Sequence, residues 1–309
     1  MYTHIWGGGK KKKGIRLLLT ILSRYNKADD LCVHCFNTLI SCMHSDKNDE
    51  TNNQVRKLIC DCNGDKICVL TLQQRKCQTA LDEVIIISAL TCIANMASVS
   101  DNIGRLLEVH AVTDIMSVIN DNLHQGEVVK CACVALCNLS SDRKASWTMW
   151  HQYNVYVLLM KIVDEYVKLY CEKKKTHKHK KRTNKEDERE PKNPSSTTNH
   201  PDIPKATIMS IQQYALGCIG NMMRDTSNVI PFMANQMYKH IYNVMQCCAD
   251  GRELMKTCLK LLNILITSMH TSRPKSDGVT LKQTLPQGKQ QLRVVHNAKR
   301  SGVFLLKNK

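Results

Sequence analysis

An apolar helical segment centred on one asparagine returns along this chain at intervals close to 42 residues. Five segments align, at 33–39, 91–97, 134–140, 217–223 and 259–265, with Asn37, Asn95, Asn138, Asn221 and Asn263 at the same place in each. The asparagines lie 58, 43, 83 and 42 residues apart. Two of these spacings are single periods. The spacing of 83 reads as one period plus a polar, Pro/Ser/Thr-rich insertion over 172–206 that lacks a helical apolar face, and the spacing of 58 as one period plus a loop insertion over 48–54. Around each asparagine, apolar residues recur at three- and four-residue steps, as in Val129, Ala132, Cys133, Leu136 and Leu139. That step is the period of an amphipathic helix. A second helical pattern lies upstream (Val112, Ile115, Met116, Ile119), and Ser100-Asp101-Asn102, Ser141-Asp142 and Asp225-Thr226-Ser227-Asn228 supply capping or turn groups between units. One period is therefore a short helix, a middle helix and a long third helix. None can shield its apolar face alone, and stacking on neighbours is what buries it.

Composition agrees with helices throughout. Hydrophobic residues make up 43% of the chain and aromatics only 5%, so the core must come from Leu, Ile, Val, Met, Ala and Cys. No proline precedes Pro191, and only Pro231 falls inside an apolar stretch, which leaves long segments that helices tolerate. The net charge of +17 is unevenly placed: residues 1–16, 171–206 and 272–309 carry +5, +5 and +8, leaving the remainder near neutral. The reading is an all-α array over 14–270, with a basic N-terminal tail over 1–13, a basic disordered insertion over 172–206 and a basic disordered C-terminal tail over 271–309. A neutral body with basic tails argues against a nucleic-acid-binding body and for a localisation signal or an electrostatic tether.

The third-helix sequences resemble the armadillo-repeat family, whose third helix usually reads Ala-x-x-Ala-Leu-x-Asn-Leu. Here that stretch is Ala132-Cys133-Val134-Ala135-Leu136-Cys137-Asn138-Leu139, and again Ala89-Leu90-Thr91-Cys92-Ile93-Ala94-Asn95-Met96. Ala111 stands where the family usually has glycine before its second helix. The resemblance covers roughly 14–270 and implies an armadillo-like right-handed α-α superhelix, an α-solenoid of about five repeats. It implies a non-enzymatic scaffold or adaptor that holds an extended segment of a protein partner in a concave groove lined by third helices. Asn95, Asn138, Asn221, Asn37 and Asn263 would then form a peptide ladder, because a carboxamide both donates to and accepts from an extended backbone. The competing reading is that these side chains bond to a neighbouring repeat and hold the stack in register.

Two family variants make sharper demands. Importin-α-type grooves carry tryptophan four residues before the asparagine; the residues here are Val33, Thr91, Val134, Gly217 and Leu259, none of them aromatic, while Trp147 and Trp150 lie elsewhere. A β-catenin-like groove uses rows of cations for acidic ligands. Lys130, Arg224 and Lys260 are the groove-charge candidates, with Arg143 and Lys144 beside them, although scattered cations also describe an ordinary solvated face.

Sixteen cysteines invite a metal reading at Cys32, Cys35 and Cys42, and at Cys60, Cys62 and Cys68, where Asn63-Gly64 signals a turn. Neither set has paired ligand knuckles. The cysteines fit the apolar stripes of helices and read as small buried hydrophobes in a reducing compartment, so no metal and no cofactor are expected. Residues 173–182 place seven cations in ten positions: Lys173, Lys174, Lys175, Lys178, Lys180, Lys181 and Arg182. This run is a candidate localisation signal in an extended coil, placing the chain in the cytoplasm with the nucleus as the alternative. Through it and the tails the chain would bind nucleic acid, microtubules or acidic membrane as a polyanion-binding alternative to the scaffold. No segment reaches 18 consecutive uncharged apolar residues, 84–97 coming nearest, so no transmembrane helix is expected. No phosphate loop and no nucleophile–base pairing stands out, and an enzyme is not expected.

Overall fold

A computed structural model describes residues 8–45, 48–183 and 203–271. Among the described residues the chain is all-α, with fourteen α-helices, one short 3-10 turn and no strand. It divides into a unit through Ser268 and a second from Met269 to Lys309. The first unit carries the architecture described below.

The helices fall into a repeating order. A leading pair, α1 (Gly8–Arg24) and α2 (Asp29–Met43), is followed by α3 (Asp49–Asp61), α4 (Gly64–Gln74) and α5 (Ala80–Ala97), then by α6 (Ser100–Glu108), α7 (Ala111–Asp121) and α8 (Gly126–Leu139). The next three are α9 (Arg143–His151), α10 (Val155–Thr183) and α11 (Lys205–Met222). The last are α12 (Val229–Ala234), α13 (Tyr238–Cys247) and α14 (Arg252–Thr271), the last of which crosses the boundary at 268. The third helices pack in sequence, α2 on α5, α5 on α8 and α8 on α11, and first and second helices pack on their counterparts, α3 on α6, α4 on α7 and α10 on α13. Their contacts form one core: Phe36, Leu39, Ile59, Ile86, Ile93, Ile115, Leu136, Ile162, Ile219, Phe232 and Leu261 are all within 1% of full burial. Removing each such side chain from water is worth about 1.5–3 kcal/mol.

Local chemistry sets the boundaries. Thr79 and Asp82 form a reciprocal capping box at the start of α5, and Asp142 caps α9 through the Ala145 N–H. The first-to-second helix turn is made in each unit by a left-handed residue: Asn63, His110, Asn154 and Gln236, with φ of 65°, 60°, 50° and 57°. Gly64 follows the first of these, and a Cβ there would lie 2.5 Å from Ile59 Cγ2 and 2.8 Å from the Ile59 carbonyl oxygen. Polar bonds tie neighbouring units at offsets near one period. Lys57 pairs with Asp101 at 2.6 Å, Arg105 with Asp61 at 3.2 Å, Gln73 donates to Asp114 at 3.1 Å, and Lys76 pairs with Asp121 at 3.1 Å.

Three expectations about tails and insertions need correction. Residues 48–54 are not a loop: Asn48 caps α3 by accepting from the Glu50 N–H, and Asn52 is buried inside its first turns. The basic N-terminal segment is helical from Gly8, so Lys10, Lys11, Lys12 and Lys13 belong to α1. The basic insertion does not begin as a coil, because α10 runs on to Thr183, and its far end returns at Ile203, buried at 6% exposure. Residues 184–202 and the tail from 272 lie outside the described residues. Helix α5 is long and apolar enough by length and composition to cross a membrane; here it is the layer between α2 and α8.

Candidate protein-binding face

The third helices are amphipathic, and burying one stripe of each fixes what the other presents. The positions four residues before the asparagines, Val33, Thr91, Val134, Gly217 and Leu259, are all half-buried. Asn95, Asn138 and Asn221 are half-buried too, and Asn37 and Asn263 are exposed. Asn95, Asn138 and Asn221 occupy the same partly buried place on the successive third helices α5, α8 and α11, where the bonds below join them.

Along these helices the carboxamides reach backwards. Asn138 Nδ2 donates to the Ala94 carbonyl at 2.8 Å, and Asn221 Nδ2 donates to the Cys137 carbonyl at 3.1 Å and to Ser140 Oγ at 3.0 Å. In both rungs the acceptor is the residue just before the preceding asparagine, so the same bond repeats one period on. Asn95 breaks the series: its Nδ2 is buried with no partner among the described residues. The Oδ1 atoms of Asn95, Asn138 and Asn221 have no hydrogen-bond partner among the described residues and are not fully buried. The edge so formed ties α5 to α8 and α8 to α11 with the Asn138 and Asn221 donors and leaves their acceptors unpaired among the described residues.

A second asparagine, seven residues on, was not singled out as a site by the sequence. Asn102 Nδ2 donates to Met96 O at 3.1 Å and Asn228 Nδ2 to Met222 O at 2.8 Å, both buried, closing the C-terminal end of the third helix onto the next unit. Its signal was present in the capping groups, at the same offset from Asn95 and Asn221.

The charge candidates are placed unequally. Lys130 is paired with Glu127 one turn away, and Glu127 also accepts from Thr207 Oγ1 at 2.8 Å, so this cation is neutralised between α8 and α11. Arg224 is exposed just past α11. Burial pushes the Cys137 thiol up to about 11, and the Arg224 charge opposes that shift, which places the guanidinium beside the α8 end of the edge. Lys260 is exposed on α14. Around the central asparagines the edge carries Val84, Ile87, Thr91, Cys131, Val134, Tyr214 and Gly217, with the Glu127–Lys130 pair at the places on α8 that Val84 and Ile87 hold on α5. Trp150 is buried and stacks on Tyr156 with centroids 4.1 Å apart, whereas Trp147 is 46% exposed beside His151.

The localisation-signal candidates start in a docked part of α10. Lys173 Nζ donates to the Ile203 carbonyl at 2.5 Å and Lys174 Nζ to the Cys247 carbonyl at 3.5 Å. Lys175 is exposed, and Lys178, Lys180, Lys181 and Arg182 continue the helix with side chains outside the described set. Of the cysteines weighed as ligands, Cys32, Cys35, Cys60 and Cys68 are buried in the core and Cys42 and Cys62 half-buried. Among the described residues no group of three or more His, Cys, Asp or Glu side chains is placed to hold a metal ion.

No family model and no curated protein matches this chain. Among solved structures, it is similar to an engineered protein whose crystal structure came from the Northeast Structural Genomics Consortium, with a TM-score of 0.55 and 16% identity. The likeness covers 82% of this chain and 48% of that one, so this chain spans about half of that protein's length. At that identity the likeness speaks for the helical fold alone.

Proposed function

We propose that this chain is an armadillo-type α-solenoid that acts as a non-enzymatic scaffold, holding an extended segment of a partner protein along its third-helix edge. The observation that carries the reading is the repeated asparagine rung, in which the Asn138 and Asn221 Nδ2 atoms bond the preceding third helix while their Oδ1 atoms have no partner among the described residues. A row of unpaired acceptors one unit apart suits the N–H groups of a stretched backbone, whose recognition by main-chain bonds is largely indifferent to sequence. Specificity would come from the side chains beside the rungs. Thr91 and Val134, four residues before Asn95 and Asn138, are uncharged, and Lys130 is paired with Glu127, which favours a segment with apolar or small polar residues over a strongly acidic or basic one.

The test is selection of displayed random peptides on the full chain. Enriched peptides should lose binding when Thr91 and Val134 are replaced together by Arg in a variant that keeps its helical circular dichroism, and should keep binding in moderate salt. Peptides that bind the double variant equally well would refute the reading. Binding that disappears steeply with salt would point to the basic segments instead.

A further inference from the structure

We propose that the outward face of α1 is a docking surface for an acidic lipid membrane, holding anionic headgroups with its cations and sinking Leu17 into the headgroup layer. Helix α1 carries Lys10, Lys11, Lys12, Lys13, Arg16 and Arg24 and no acidic residue. It packs on α2, α3 and α4, and its buried stripe is Ile15, Leu19 and Leu22, all within 4% of full burial. Lys13, Leu17, Thr20 and Arg24 follow one another at steps of four, three and four, along the line of α1 turned away from that stripe, and all four are exposed. Lys12 and Arg16, one turn apart, are exposed beside them. Leu17 is 61% exposed among these cations. Tyr25, whose N–H still bonds the Ile21 carbonyl at 2.8 Å, is 56% exposed at the end of the helix. The side chains of Lys12, Lys13, Arg16 and Arg24 have no ion-pair or hydrogen-bond partner among the described residues. At the turn into α2, Asp29 is paired with Arg75, and the exposed Lys27 and Asp30 carry opposite charges, so the surplus on α1 is not offset there.

This clustering does not serve the helix itself. Cations in the first turns oppose the helix dipole, and like charges three and four residues apart repel one another. An anionic surface relieves both costs. Nucleic acid, an acidic protein segment and an acidic membrane all offer one, and the exposed leucine selects among them. Phosphate or carboxylate groups on a polymer answer the cations but leave Leu17 in water. A lipid surface answers both, since its headgroups meet the ammonium and guanidinium groups while a leucine reaches the acyl boundary. The stems of lysine and arginine lie along the same boundary with their charges at the headgroups. The apolar part is one residue deep, with Tyr25 at its margin, so attachment is reversible and weakens with salt. The surface uses none of the asparagine rungs, and a scaffold attached through it would present its partner at a membrane.

The test is flotation of the full chain with phosphatidylcholine vesicles, with and without phosphatidylserine at about one lipid in four. Binding is expected only where phosphatidylserine is present. Leu17→Ser should lower vesicle partitioning about tenfold, and Leu17→Phe should keep it. Lys13→Gln, Arg16→Gln and Arg24→Gln together should lower it by about tenfold or more. Every side chain changed is exposed, and unchanged helical circular dichroism checks the fold of each variant. Binding of a single-stranded oligonucleotide or of polyglutamate should not respond to Leu17→Ser. The proposal is overturned if the parent fails to float, if Leu17→Ser floats as well as the parent, or if flotation falls only with Lys178→Gln, Lys180→Gln and Lys181→Gln. Oligonucleotide or polyglutamate binding that falls in parallel with flotation in Leu17→Ser would assign the face to that polymer and overturn it as well.

Discussion

Single side chains separate the stacking role of the asparagines from a binding role. Asn221 makes two inter-helix bonds, Asn138 one, and Asn95 leaves its buried Nδ2 unpaired. A net hydrogen bond is worth about 1 kcal/mol, and an unsatisfied buried donor costs a similar amount or more. Urea denaturation should therefore rank Asn221→Ala as the most destabilising, at about 1–2 kcal/mol, then Asn138→Ala at about 1 kcal/mol, with Asn95→Ala neutral or slightly stabilising. Equal losses at all three would show that Asn95 is satisfied in solution. Gly64 gives a steric counterpart. Its missing Cβ would press on the Ile59 carbonyl oxygen at 2.8 Å, a backbone atom with little room to yield. Gly64→Ala should cost about 1–3 kcal/mol by the same measurement, and a neutral result would show that the α3–α4 turn relaxes.

At the scale of elements, the question is what joins one helix set to the next. Arg75, just past α4, reaches back to Asp29 at the start of α2 at 2.5 Å and to the Asn26 carbonyl, and forward to Asp82 in the first turn of α5 at 3.0 Å. Its side chain is only 13% exposed and that of Asp82 only 14%. Arg75→Met keeps the apolar stem but strands the carboxylate, and it should cost about 2–4 kcal/mol in chemical denaturation; a loss below ~0.5 kcal/mol would mean the cluster is solvated. The Asp250 cluster predicts a pH effect. Hydrogen bonds from Lys205 and Tyr170 hold the Asp250 carboxyl down at about 2, against 3.8 unperturbed. A depressed carboxyl contributes stability that is fully present above its unfolded value and is lost as pH falls through the folded one. That contribution should fade between pH 4 and pH 2. Because Asp250 is half exposed the effect is small and weakens in high salt. Asp250→Asn should flatten this part of the acid titration, and an unchanged slope would remove Asp250 from the acid response.

Much of the element order was legible because the third helices carry both the apolar stripe and the asparagine. Helix α3 was harder: its first turns read Asp-Glu-Thr-Asn-Asn, polar throughout although Asn52 is buried, and its other buried residues are Val55, Ile59 and Cys60. Polarity at 48–54 therefore looked like a loop when it was the cap and first turns of a first helix. The lysines after Tyr170 misled in the same way. Lysine is a good helix former and favours the C-terminal end of the helix dipole, so α10 outruns its apolar stripe. On the candidate edge, the asparagine positions were readable, but the direction of their donors was not, since periodicity carries no record of which neighbour an amide faces. His110, Asn154 and Gln236 at positive φ share no residue type that would have announced the turn.

For the whole molecule, the physical premise is that helices unable to bury themselves stack in register and leave one edge of the third-helix row accessible. The most direct measurement is hydrogen–deuterium exchange of the full chain with and without a peptide selected on it. An extended segment lying along that edge should protect amides in α5, α8 and α11 around Asn95, Asn138 and Asn221, leaving the outer helices α4 and α7 unchanged. Protection confined to α4 and α7, or to the basic residues of α10, would contradict it.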